Sequence, residues 1–239
     1  MTALGFVKLR MRCHRERRKE GVGMGDGDIA ASTAIALHFL CALGLGAGYS
    51  LAQLKHHLSL VADPAQTLRF LLVVQGPVVI GIYSSVRRDR EHCSYWKAVA
   101  RGLFGLPVGA VLNAFGAIVL GAPVGIKYWP STIYWSSLMS LFTFVPALCV
   151  FGLSKMDWQR ILAHSIPKEI VDCVVSLPAQ GAILGAWLGA WPMPLDWEKP
   201  WQEWPICVTY GAVAGYLFGM LISVVFVHVL RGQTHVKAE

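Results

Sequence analysis

Residues 205–230 read PICVTYGAVAGYLFGMLISVVFVHVL. These 26 residues contain no Asp, Glu, Lys or Arg. As an α-helix they are about 39 Å long, and the hydrocarbon core of a bilayer is about 30 Å thick. A run this long and apolar predicts a membrane span. Its glycines, Gly211, Gly215 and Gly219, recur at every fourth position. That spacing puts them on one helix face and lets another backbone approach closely.

Working back from this span, five further stretches have the same character: about 30–52, 68–86, 98–121, 131–153 and 173–191. None contains Asp, Glu or Lys, and Arg69 and Arg101 sit near span ends, where a long side chain reaches the interface. Pro77, Pro107, Pro146 and Pro178 fall inside spans. Soluble helices rarely accommodate interior prolines, but membrane helices tolerate them. The composition agrees: 55% hydrophobic, 15% charged, with a mean hydropathy of +0.51. A soluble domain has about a quarter of its residues charged. The expected fold is therefore an all-α integral membrane bundle of about six helices over 30–230. A basic tail at 1–29 and a short tail at 231–239 flank it, and no length remains for a separate soluble domain.

The net charge of +7 follows the membrane topology rather than a nucleic-acid surface. No segment interleaves basic and aromatic residues for base stacking, so no nucleic-acid partner is expected. Counting Lys and Arg outside the spans gives 16 on one side: the N-terminal tail, the loops after the second and fourth spans, and the C-terminal tail. The other side has three, Lys55, Lys127 and Lys199. By the positive-inside rule both termini are cytosolic, and loops 53–67, 122–130 and 192–204 face the lumen or exterior. The first span starts too late and runs too long for a cleaved signal peptide. The Arg-rich tail reads as disordered, with contact to anionic lipid as the alternative. Cys13, Cys41, Cys93, Cys149, Cys173 and Cys207 show no zinc-ligand spacing and read as free thiols.

The fifth span carries a stripe like that of the last: Gly181, Gly185 and Gly189. Shorter pairs occur at Gly44 and Gly48, and at Gly105 and Gly109. Two uses are open for them: packing within the bundle, with the last two spans as a hairpin, or docking a helix of another protein. Gln75, Asn113 and Gln180 are expected to bond across helices. His38 and His228 read as packed or interfacial groups. A transporter reading needs intramembrane carboxylates or lysines, and none is present.

The sequence has no HExxH, GxSxG or nucleotide-binding glycine loop. His56, His57 and Asp63 share a loop, but adjacent histidines seldom face one ion, so they read as solvated. Asp157, His164, Glu169 and Asp172 read as surface charges. The distinctive segment is GAWPMPLDWEKPWQEWP, residues 189–205. Four tryptophans and four prolines fall within Trp191–Pro205. Proline removes backbone freedom, which predicts a stiff loop. An interfacial belt accounts for Trp191 and Trp204 at the span ends. Trp197 and Trp201, in mid-loop beside Glu198 and Lys199, read better as a recognition surface.

The run from Pro194 to Ile206 resembles the signature of the phosphatidylinositol-glycan biosynthesis class F family, and the span order resembles it over about Ala30 to Arg231. The matching positions are Leu195, Asp196, Trp197, Pro200, Trp201, Gln202, Trp204 and Pro205. Glu198 and Lys199 stand where the family pattern has Asp and Arg. The resemblance implies a multi-pass protein of the endoplasmic reticulum membrane. It also implies a non-catalytic, stabilising role beside a large ethanolamine phosphate transferase subunit in glycosylphosphatidylinositol (GPI) anchor synthesis. The expected partners are that subunit and membrane lipids, with no cofactor and no metal. Leu195–Pro205 would then be a partner-binding or structural loop, and the two glycine stripes helix-packing positions. Two alternatives remain from the residues alone. One is a lipid-handling membrane enzyme using the loop carboxylates Asp196, Glu198 and Glu203. The other is a small transporter.

Overall fold

The computed structural model describes residues 30–163 and 169–236. The basic tail, His164, Lys168 and Lys237 lie outside the described residues. Among them seven α-helices occur: α1 (Ala31–His56), α2 (Pro64–Ser85), α3 (Tyr95–Val119), α4 (Trp129–Phe151), α5 (Lys155–Ala163), α6 (Ile170–Ala190) and α7 (Ile206–Val236). All except α5 are long and apolar enough to cross a membrane. The chain is an all-helical membrane protein.

The helix ends follow local chemistry. Pro64 and Pro130 occupy the first turns of α2 and α4, where a missing N–H costs nothing. His57 ends α1 at φ 50°, and Gly121 and Gly152 follow α3 and α4 at φ 101° and 63°. The last helix runs to Val236, past the apolar limit at Leu230. Its backbone hydrogen bonds are internal and need no lipid to continue. α5 is a short helix within the stretch read above as a loop between spans.

α4 is the central helix: 83% of its most apolar window is buried, against 22% for α3 and 28% for α7. It packs on α2, α3 and α6, while α1 lies against α2 and, more lightly, α7. The outer face of α3 exposes Leu103, Phe104, Val108, Val111 and Phe115. In water these would be a liability, but against lipid tails they are the expected surface.

The most extensive helix contact joins α6 and α7. The stripes Gly181, Gly185, Gly189 and Gly211, Gly215, Gly219 face each other across it. A Cβ added at Gly189 would come within 2.6 Å of the Cys207 carbonyl oxygen, and one at Gly219 within 2.5 Å of the Leu177 oxygen. Cβ atoms at Gly181, Gly185, Gly211 and Gly215 would each strike a carbonyl oxygen of the opposite glycine stripe. Both stripes are therefore used inside the hairpin, leaving neither face for a helix of another protein.

Polar links cross the bundle. Gln75 donates to the Cys41 carbonyl at 3.0 Å, and His38 Nε2 lies 3.0 Å from Ser223 Oγ. The Tyr83 hydroxyl donates to the Val174 carbonyl at 3.3 Å. Asn113 departs from expectation: it donates to Gly109 of its own helix, at 2.8 Å. That carbonyl lies one turn back, on the same face of the helix. Gln180 is only half-buried. Asp172 also departs from its reading as a surface charge. It is 3% exposed in the first turn of α6, where the helix dipole favours a carboxylate. Asp157 and Glu169 are likewise engaged: both pair with Arg88, at 2.8 and 3.2 Å.

Candidate functional site

The segment between α6 and α7 is organised by one amide. Gln202 lies in a single 3-10 turn, Pro200–Gln202, and is 7% exposed. Its Nε2 donates to the carbonyls of Pro192 at 2.6 Å and Leu195 at 2.8 Å. Its Oε1 accepts from the Lys199 N–H at 2.9 Å. One side chain thus ties three points of the loop together, using both donors of the amide. A backbone bond from Gln202 N–H to the Lys199 carbonyl, at 2.9 Å, closes the turn.

The second anchor is Trp204, 8% exposed. Its indole N–H donates to Thr132 Oγ1 at 2.9 Å, and its ring lies 5.0 Å from that of Trp135. Thr132 and Trp135 belong to the first two turns of α4, so the loop is pinned to the central helix. A buried tryptophan needs such a partner for its N–H. The sequence marked Trp204 as a membrane-belt residue and gave no sign of Thr132 or Trp135. A hydroxyl and an aromatic three residues apart at a helix start are too common to stand out. Pro205 is buried as well, and its carbonyl accepts from Thr209 Oγ1 at 2.6 Å.

The rest of the signature faces outward. Leu195, Asp196, Trp197, Glu198, Lys199, Pro200 and Trp201 are all exposed. Trp197 and Trp201 are 55% and 37% exposed, their ring centroids 6.0 Å apart and tilted by 58°. Trp187 and Trp191 form a second, edge-on pair at 5.5 Å. Glu198 sits at φ 49°, in the left-handed region that a non-glycine residue rarely adopts. The bonds to Gln202 on either side of it, at Leu195 and Lys199, hold that conformation. Among the described residues, Glu198 and Lys199 form no ion pair with each other.

The other candidate groups are placed differently. The His56 ring packs on Phe70 with centroids 4.9 Å apart, and His57 is the cap residue that ends α1. The Asp63 carbonyl accepts from Thr67 Oγ1 at 2.9 Å. Among the described residues no three His, Cys, Asp or Glu side chains are grouped to hold a metal ion. The loop is thus a buried frame of Gln202, Trp204 and Pro205 that presents an aromatic and charged face. That face is partly apolar and carries charges of both signs.

Residues 47–224 match the family described as GPI biosynthesis protein family Pig-F. The relatives named "GPI ethanolamine phosphate transferase, stabilizing subunit" in Mus musculus and Homo sapiens are each 38% identical over 120 residues, covering 50% of this chain and 54% of theirs. The "PIGF/3-ketodihydrosphingosine reductase fusion protein" of Schizosaccharomyces pombe is 33% identical over 127 residues, covering 53% of this chain and 25% of its own. The chain spans about half the length of the mammalian relatives it matches. No solved structure matches it. The chain belongs to the Pig-F family of GPI biosynthesis proteins.

Proposed function

We propose that this member of the Pig-F family is a non-catalytic stabilising subunit of an ethanolamine phosphate transferase acting in GPI-anchor synthesis. On this reading it resides in the endoplasmic reticulum membrane, with cytosolic termini and the 192–204 loop in the lumen. There the loop meets the membrane region of a larger catalytic subunit. The observation that carries the proposal is the divided loop. Gln202 and Trp204 turn their polar groups inward, leaving Leu195, Trp197 and Trp201 exposed on a stiff frame. A preorganised aromatic face loses little conformational freedom on binding, and tryptophans are favoured anchors at interfaces. The family membership, the mammalian relatives' names and the Lys/Arg count support the same reading.

The test is co-purification from mild detergent. Trp201→Ala combined with Asp196→Ala is expected to lower recovery of the large subunit while this chain's own level and melting point stay unchanged. Unchanged recovery would remove the loop as a docking element. Isolated chain that turned over or bound an ethanolamine phospholipid, and lost this on substitution of Asp196, Glu198 or Glu203, would favour the lipid-handling reading instead.

A further inference from the structure

At the end of the bundle away from the tryptophan loop, the α2–α3 turn, the end of α4 and the start of α5 enclose a cleft of about 580 Å³. Arg87, Arg88 and Arg101 line it, with Asp89 and Asp157, and the apolar side chains Val150, Phe151 and Leu153. Its walls are tied together. The Arg88 N–H donates to the Val150 carbonyl at 3.0 Å, and the Trp158 indole N–H to the Gly152 carbonyl at 2.9 Å.

The three guanidinium groups differ in what they already hold. Arg88 is paired with both Asp157 and Glu169. Arg87 donates to the carbonyls of Ser84 and Cys93. Asp89 accepts from the His92 N–H at 3.0 Å, which holds its carboxyl below the usual range, with the His92 ring and Arg101 contributing less. Arg101 is half-buried in the second turn of α3, and among the described residues it makes no hydrogen bond or salt bridge. Its guanidinium lies over Gly152, at φ 63°, where a Cβ would strike Nη1. Glycine therefore provides the room that Arg101 occupies.

We infer that this cleft is a binding site for a phosphate-bearing anion, presented by a membrane lipid, with Arg101 as its principal contact. Arg101 acts on Asp89 only through space and makes no direct bond to it, so at the edge of the membrane span its donors are available to an anion. Phosphate oxygens match its fork of donors in a bidentate manner. Basic pockets between membrane helices are the usual place for anionic headgroups, and Val150, Phe151 and Leu153 supply the apolar flank an acyl chain needs. The site is independent of the tryptophan loop, so the two proposals fail separately.

The experiment uses the full chain in mild detergent. Short-chain phosphatidic acid, matched phosphatidylcholine and inorganic phosphate are added in turn, with native mass spectrometry and the melting point as readouts. Phosphatidic acid is expected to bind and stabilise, and phosphatidylcholine not to. Arg101→Gln is expected to weaken phosphatidic acid by about tenfold or more, the usual worth of a charged hydrogen bond. Arg69→Gln, which removes a basic residue outside the cleft, is expected to change nothing. Asp89→Asn should tighten binding, an outcome that a purely structural role for Arg101 does not produce. If Arg101→Gln fails to fold, Leu153→Glu places a like charge at the exposed rim and should weaken binding equally. Inorganic phosphate competing with phosphatidic acid supports phosphate recognition; inorganic phosphate binding as tightly, with no gain from the acyl chains, identifies a soluble phosphate as the source. Equal phosphatidic acid binding by the parent and both cleft variants, or equal binding of phosphatidylcholine, overturns the site.

Discussion

Two of the helix pairs packed at glycines in this bundle use them in opposite ways. Between α6 and α7 every stripe glycine faces backbone: the nearest neighbours of Gly181, Gly185, Gly211 and Gly215 are carbonyl groups and Cα atoms of the opposite helix. Between α3 and α4 the glycines face side chains. Gly102 receives Cys149, Gly105 receives Leu148, and Gly109 receives Ser140 and Phe144. The spacing of Gly105 and Gly109 looks like that of Gly211 and Gly215, yet the first seam is a set of holes filled by side chains and the second a backbone contact. Side chains can change rotamer to relieve a clash, whereas a carbonyl moves only if its helix moves. The α6–α7 hairpin is therefore the less forgiving of the two, and it is the pair that carries the tryptophan loop.

The largest effect is expected where nothing can give. Gly185→Ala places a methyl group against the Gly211 carbonyl and within 2.9 Å of the Gly215 Cα. The helices must separate, and the expected loss is about 3 kcal/mol or more, at the upper end for overpacking. Melting in detergent should fall sharply, or folded chain should not be recovered. A near-parental melting point would show that the seam is looser than its distances imply.

Next comes Gln202→Glu, which asks whether the stiffness of the seam continues into the loop. The acceptor for the Lys199 N–H is kept, but the two donors to Pro192 and Leu195 are lost. Two carbonyls would then face a carboxylate, at a cost of about 2 kcal/mol. Burial beside those carbonyls raises the pKa of the introduced carboxyl, because its neutral form alone can donate. For an acid whose folded-state value is raised, the destabilisation is present at high pH and relieved as pH falls. The variant should thus sit closer to its parent at acidic pH than at alkaline pH. A gap that stays constant with pH would mean that the loop opens and hydrates the group.

These two sites also show what was legible in advance. Span positions followed from apolar length, since lipid as solvent makes hydropathy the dominant signal. The stripe on α7 was visible as well. Its pairing with the α6 stripe was one of the two readings open in the sequence, because periodicity gives a helix a sticky face without deciding between a neighbour in the bundle and a helix of another protein. Leu195–Pro205 read as one signature, while the structure divides it into an inward frame and an outward face. Nothing in the order Pro-Trp-Gln-Glu-Trp reveals that the amide folds back on carbonyls seven and ten residues earlier. The nine residues of α5 read as a charged loop because they are too short to cross lipid. Their role, fixing Asp157 on Arg88, depends on a residue 69 positions away.

The α3–α4 seam should respond in graded steps. At Gly109 an added methyl group meets the Phe144 Cβ at 2.8 Å, an atom bonded to backbone, as well as Ser140 Oγ. Gly109→Ala is expected to cost about 1–2 kcal/mol. At Gly105 the close contact is the tip of Leu148, with the remaining atoms at 3.5 Å. A rotamer change relieves that, so Gly105→Ala should cost less than about 1 kcal/mol. Melting points in the order parent, Gly105→Ala, Gly109→Ala, Gly185→Ala would establish that the clashing atom, not the glycine spacing, sets the cost. Equal losses at Gly105 and Gly109 would break that argument.

The smallest effect belongs to Gly46, also in a helix interior, on the exposed side of α1. Nothing lies within 4 Å of where its Cβ would stand. Alanine is the better helix former by about 1 kcal/mol in water, an advantage that shrinks where lipid already enforces the helix. Gly46→Ala is therefore expected to leave melting unchanged or raise it slightly. It lies two residues from Gly48, whose added methyl group would meet Val74 at 3.3 Å. A Gly48→Ala loss beside a silent Gly46→Ala would place the whole energetic difference in what each face touches, since helix, residue type and depth are nearly the same.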